Sequence, residues 1–182
     1  KTNCDRIKEL NKISEYLYCI RYDELDYAYA EKYYKNFKPK VYGLIGIRPF
    51  GCSSLRVGDF YGRNFDFYYN NDCSFVIRTS KNKGLNATIG VGSYFNKLTK
   101  DIAESGVYTE NYRLLPFMIT DGINEHGLFV NINVVTVEGK ATSGTVPTEK
   151  KKGDICMMML PRYILDHYST AKLAIEDRKD YY

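Results

Sequence analysis

The sequence predicts an α+β fold in which strands come first and helices follow. Segments of short apolar alternation crowd residues 41 to 135, separated by Gly, Asn and Asp turns, and helical patterns lie on either side of them. Aromatic residues make up 15% of the chain, 18 of them Tyr with no Trp, and such side chains suit half-buried sheet surfaces better than helical bundles. Strands followed by helices indicate layers rather than alternating βαβ units. No internal repeat is present.

Taken in order, residues 1 to 40 carry a helix-like stretch near the start and then a strand candidate, "YLYCIRY" (16–22). Next comes "DELDYAYAEKYYKNFK" (23–38), whose early acids and late lysines fit a helix that Pro39 closes. Strands are expected at "VYGLIGI" (41–47), "CSSLRV" (52–57), "FYGRNFDF" (60–67), "SFVIRTS" (74–80), "ATIGVGSYF" (87–95), "LLPFMIT" (114–120) and "LFVNINVVTV" (128–137). A polar loop over 139–154 leads to a helix over 154–168. A second helix follows through "AKLAIED" (171–177), capped by Ser169 or Thr170. Asn124 to Gly127 reads as a tight turn that exposes His126, and "MMML" (157–160) as a core-facing helical stretch.

The chain has 182 residues, 44% hydrophobic and 26% charged, which is enough for one domain with a real core. A net charge of +4 with scattered Lys and Arg lacks the basic stripe that nucleic-acid binding requires, and "EKKKGD" (149–154) reads as a solvated loop. No apolar run reaches membrane-spanning length. Five cysteines without CxxC spacing and two histidines signal neither a zinc site nor a full disulfide framework, so at least one thiol is expected free. Cys73 and Cys156 read as buried. The first residue is Lys1 rather than Met, which points to an upstream segment such as a signal peptide or anchor and leans the location toward extracytoplasmic, with cytoplasmic as the alternative.

The stretch "RPFGCSSLRVGDFYGRNFDF" (48–67) carries the chemistry. With Gly58-Asp59 as a two-residue turn, Val57 faces Phe60, Ser54 faces Arg63 and Cys52 faces Phe65. Cys52, Ser54, Arg63 and Phe65 then share a face, with Arg63 diagonal to Cys52 and able to favour its thiolate below the usual pKa of about 8.5. Strand parity sends Asp66 to the opposite face unless the strand bulges or ends there. On residue types alone Cys52 is either such a nucleophile or a small buried hydrophobe, with Arg63 pairing to Asp66 at the surface.

Taken together, "GCSS", the glycine turn, "GRNFD", "DCSFVIRTS", "TDGINEHGLFV" and "PRYILDHYSTAKLAI" resemble the choloylglycine hydrolase family of N-terminal nucleophile amidases over roughly residues 41 to 176. That family includes penicillin V acylases, bile salt hydrolases and bacterial linear amide C–N hydrolases, and the Cys-Ser-Ser start and long leader look most like the last group. It is more distantly similar to acid ceramidase and N-acylethanolamine acid amidase. The resemblance implies a four-layer αββα sandwich, of which this chain would hold the N-terminal part. Residues 1–51 would be a leader and 52–182 the start of the catalytic domain, paired with a C-terminal part or with a second copy of the chain.

The resemblance further implies self-cleavage at Gly51–Cys52, where glycine tolerates a strained backbone. The freed α-amine of Cys52 would be the base for its own thiol. Arg63 would hold the thiolate, Asp66 would orient the α-amine, and the Val134 N–H, with Asn133 as a one-residue alternative, would serve the oxyanion. Asparagine occupies that position in bile salt hydrolases, so Val134 speaks against bile-salt chemistry. The expected substrate is a small-molecule linear amide: a phenoxyacyl penicillin, an N-acyl amino acid or acyl homoserine lactone, or a bile-salt conjugate, with no metal or organic cofactor. Rival readings are a catalytically silent assembly fragment and an unprocessed cysteine–histidine hydrolase using His126 or His167.

Overall fold

The structure, a computed structural model, describes residues 7–35, 53–64, 73–93, 100–133, 136–137, 140–141, 155 and 158–178. Among the described residues the strands are β1 (Ile7–Ser14), β2 (Leu17–Tyr22), β3 (Ser53–Val57), β4 (Phe60–Asn64), β5 (Ser74–Thr79), β6 (Thr88–Ser93), β7 (Ile119–Asn124), β8 (Phe129–Asn131), β9 (Thr136–Val137) and β10 (Lys140–Ala141). The helices are α1 (Tyr27–Lys35), α2 (Lys100–Glu104), α3 (Glu110–Leu114), α4 (Leu160–His167) and α5 (Ala171–Arg178). The fold is mixed α+β, with a mostly sheet core and few helices.

A six-stranded sheet in the order β1-β2-β5-β6-β7-β8 forms that core, while β3-β4 and β9-β10 are separate hairpins. All neighbours in the large sheet are antiparallel except β2 and β5, which run parallel with Leu17 to Tyr22 facing Ser74 to Thr79. A parallel pair needs a crossover connection, and α1 lies in it. Alternation in β2 and β5 sends Tyr18, Ile20, Tyr22, Phe75 and Ile77 into one core with Leu115, Ile119 and Leu165. A second cluster, Ala30, Tyr34, Leu114, Phe117, Met118 and Met159, packs α1 against α3.

Several sequence expectations are corrected. The stretch near the start is not helical where described: Ile7–Ser14 is an edge strand paired to β2. Its register shifts between Ile7 and Glu9, and this bulge lets Ile7 and Leu10, at helix-like spacing, both pack on the core. "LLPFMIT" is not a continuous strand. Leu114 ends α3, Leu115–Phe117 forms a 3-10 turn, and the strand begins at Ile119. Pro116 has no N–H for a ladder but fits the first turn of a helix. The helix expected from 154 begins at Leu160, again with a proline, Pro161, in its first turn.

Other expectations hold. The 23–38 segment is helical over Tyr27–Lys35, and "AKLAIED" lies in α5, where the Thr170 hydroxyl accepts from the Leu173 N–H at 3.3 Å as an N-cap. Cys73 is fully buried, whereas of "MMML" Met158 and Met159 form a turn ahead of α4 and Met159 alone among the described three is buried. "VYGLIGI" and Cys156 lie outside the described residues.

Helix α4 lies on the face of the sheet to which Gly122 points. A Cβ on Gly122 would stand 2.9 Å from both Leu165 Cδ1 and the Ile89 carbonyl, so only glycine admits this approach. The opposite face carries Ile89 and Val91 at 44% and 37% exposure.

Candidate functional site

The turn at Gly58-Asp59 builds the β3-β4 hairpin in the expected register: Val57 faces Phe60, Ser54 faces Arg63 and Ser53 faces Asn64. Gly58 has φ of +58°, a value glycine adopts without strain and one that a type II′ turn demands at its first central position. The hairpin flank is open, with Leu55, Val57 and Phe60 exposed. Its other contacts run to the sheet. Tyr61 stacks on Phe129 of β8 at 4.7 Å between ring centroids, and the Asn133 amide donates to the Ser54 hydroxyl at 3.4 Å.

Arg63 is the exception on this exposed hairpin, for its side chain is only 4% accessible. Its Nη1 donates to Asp121 Oδ2 at 2.9 Å and to Thr120 Oγ1 at 3.4 Å, and its Nη2 donates to the Ile132 carbonyl. Both acceptor side chains come from a β-bulge. In the β6-β7 ladder Val91 faces Asp121 but Gly92 faces Ile119, so Thr120 is the additional residue. A regular strand would send Thr120 and Asp121 to opposite faces; the bulge turns both toward Arg63. Burial raises the Asp121 carboxyl above its ordinary range, while Arg63 and the Thr120 hydroxyl pull it back down.

Of the residues that the sequence nominates, the structure therefore places Arg63 at a buried ion pair and brings it to the segment Ile132–Asn133 that precedes Val134. Gly51, Cys52, Asp66 and Val134 lie outside the described residues. Asp121 and Thr120 belong to this site and the sequence reading did not single them out. Their signal was the "TD" at the head of "TDGINEHGLFV", which no local rule distinguishes from an ordinary strand.

The rest of that motif is structural. Asn124 Oδ1 accepts the N–H groups of His126 and Leu128 at 3.0 and 3.1 Å, while its amide donates to the Leu165 and Tyr168 carbonyls at 2.9 and 2.7 Å. One side chain thus closes the β7-β8 turn and caps the end of α4. Gly127, at φ +79°, completes the turn, and His126 is exposed on it as expected. His167 is also exposed, stacked on Tyr163 with Nδ1 2.9 Å from the Tyr163 carbonyl. It rides on α4, which contacts the face of β7 opposite Asp121.

A second polar cluster is buried on the helix side. Arg162 is fully inaccessible; its Nε donates to the Pro116 carbonyl at 2.8 Å, and its Nη1 to Asp166 Oδ1 at 3.2 Å and to the Thr88 hydroxyl. Asp166 Oδ2 accepts from the Tyr27 hydroxyl at 2.5 Å, and burial with the adjacent carboxylate pushes the Tyr27 phenol far above its ordinary pKa. This set joins α1, α4 and β6 and serves packing. A cavity of about 290 Å³ nearby is rimmed by Asp23, Glu24, Asp26 and Lys83, and these charges already pair as Lys8–Asp23, Lys83–Glu24 and Arg113–Asp26.

Among the described residues no group of three or more His, Cys, Asp or Glu side chains is placed to hold a metal, and no helix is long and apolar enough to cross a membrane. Comparison of the chain with models of protein families, with curated proteins and with solved structures finds no match in any of the three.

Proposed function

We propose that the chain is the N-terminal part of a cysteine N-terminal nucleophile amidase of the choloylglycine hydrolase type, which hydrolyses a linear amide through an acyl-thioester on Cys52. The observation that carries this reading is the meeting of two segments 69 residues apart: the Arg63 guanidinium bonds the Ile132 carbonyl, and Asn133 reaches Ser54. The reading needs the arginine of the nucleophile hairpin and the strand that ends in the oxyanion donor to lie together. Cys52 directly precedes β3 in the chain, and Val134 directly follows Asn133.

In the mechanism, Arg63 would favour the Cys52 thiolate through its fixed positive charge. The thiolate adds to the amide carbonyl, and the oxyanion takes a hydrogen bond from the Val134 N–H. The C–N bond breaks as the α-ammonium, oriented by Asp66, returns the proton to the leaving amine. Water then adds to the thioester and releases the acid and the free thiol. The same thiol, attacking its own preceding carbonyl, would move the Gly51 acyl group from nitrogen to sulfur, and water would then release it, which cuts Gly51–Cys52 and frees the α-amine and the thiol. The four-layer αββα arrangement belongs to this proposal, and the open sheet face with Ile89 and Val91 is where a further layer would pack. The substrate class is an N-acyl compound of the penicillin V or acyl-amino type, with bile-salt conjugates the runner-up.

The deciding experiment is the denatured intact mass of wild type and of Cys52→Ala after incubation at neutral pH with reductant. Cleavage at Gly51–Cys52 in wild type alone is expected. One uncut mass in both proteins would overturn self-processing and favour the silent-fragment reading.

A further inference from the structure

We propose that Asp121, seated with Thr120 on the bulge of β7, is the positioning residue that holds the Arg63 guanidinium in its working place. The inference rests on the reading of Arg63 as the partner of the Cys52 thiolate. Arg63 stands on a hairpin with an open flank: its cross-strand neighbour Ser54 is exposed, and so are Leu55, Val57 and Phe60. A guanidinium on a flexible stem would otherwise sample many positions in water. It is instead drawn out of solvent and gripped by a carboxylate, a hydroxyl and a carbonyl from β7 and the segment after β8.

The bonding sense is consistent throughout. The Thr120 hydroxyl can give its proton to the Val91 carbonyl at 3.2 Å or to Asp121 Oδ2 at 3.4 Å, and in either case its lone pairs are left for Arg63. Asp121 is flanked in register by Val91 and Asn131, neither of them charged, so Arg63 is the cation that the described residues bring to it. An ionised carboxylate at this place opposes a nearby thiolate by plain Coulomb repulsion. A protein that only needed positive potential at the thiol would be better served without it, and what Asp121 supplies instead is direction.

This sets two effects of opposite sign against each other. If Asp121 were merely a neighbouring charge, Asp121→Asn would lower the thiol pKa. If Asp121 positions Arg63, the same variant lets the guanidinium swing away and the thiol pKa rises. The readout is the rate of Cys52 alkylation by iodoacetamide as a function of pH, followed by peptide mass so that the other cysteines are scored separately. The expected result is a midpoint about one pH unit higher in Asp121→Asn, with an about tenfold lower rate on the thiolate-limited limb. Thr120→Val, which keeps shape and charge, should shift it in the same direction by less, and it reads the same seat should Asp121→Asn fail to fold. Arg63→Gln should match or exceed both.

A lowered or unmoved midpoint in Asp121→Asn, or an unmoved one in Thr120→Val where only that variant folds, overturns the inference while Arg63→Gln still shifts. An unmoved midpoint in Arg63→Gln overturns the reading of Arg63 itself, and the inference with it.

Discussion

Arg162 and Arg63 are buried arginines with different duties, and their partners tell them apart. The Arg162 guanidinium and the Asp166 carboxylate are both fully inaccessible, and their partners come from α1, the 3-10 turn and the inner face of β6. Removing one member leaves a buried uncompensated charge, which typically costs about 3–5 kcal/mol. Arg162→Met is therefore expected to unfold the domain at markedly lower urea than wild type. Arg63→Gln should change the urea midpoint less, because the carboxylate it leaves behind, Asp121, keeps 17% exposure where Asp166 has none. For Asp121 the sign of the pH effect is defined. Burial raises its carboxyl, so the folded state holds that proton more tightly than the unfolded chain does. Its contribution to stability is full below the ordinary carboxylate pKa and is lost as pH rises through the higher folded value. The urea stability of wild type minus that of Asp121→Asn should fall across that window and level off above it.

At the scale of elements, the close seat of α4 on the sheet depends on glycine. Gly122→Ala would press a methyl group against the Ile89 carbonyl and Leu165, and backbone cannot retreat as a flexible side chain can. Overpacking of this kind costs about 1–3 kcal/mol, so the variant should lower the thermal midpoint with little change in the slope of urea unfolding. Gly58, whose Cβ direction is open, has only its positive φ against substitution. The hairpin, the 23–38 helix, the Thr170 cap and the 124–127 turn were legible in the chain because each is decided by residues within a few positions of one another. The N-terminal strand was misread because its apolar spacing imitates a helix until a neighbouring strand and a bulge absorb the mismatch. "LLPFMIT" was misread because apolar content hid a proline that ladders exclude.

For the whole molecule, the large sheet is not confined to one side of Gly51–Cys52. β2 lies between β1 and β5, and its Tyr18, Ile20 and Tyr22 are core residues. Burying side chains of this kind is worth about 1.5–3 kcal/mol each, and a cut in the chain does not undo it. If Gly51–Cys52 is cleaved, the leader should stay bound. The two pieces should elute together in size exclusion and separate only in denaturant, so free release of a folded 52–182 product would contradict the sheet order.

The sequence by itself determined the local chemistry of this protein: the register of the Ser53–Asn64 hairpin, the α+β class, the tight turn at Asn124 and the capped helix after Thr170. Each follows from short-range rules of turn geometry, side-chain alternation and capping. Only the tertiary structure decided the parallel pairing of β2 with β5, the bulge that aims Thr120 and Asp121 together, and the burial of Arg162. These depend on partners well separated in the sequence, as Arg63 and Asp121 are at a separation of 58 and Arg162 and Pro116 at 46. No local pattern encodes which distant strand will stand beside a given residue, because that choice is made by the packing of the whole sheet.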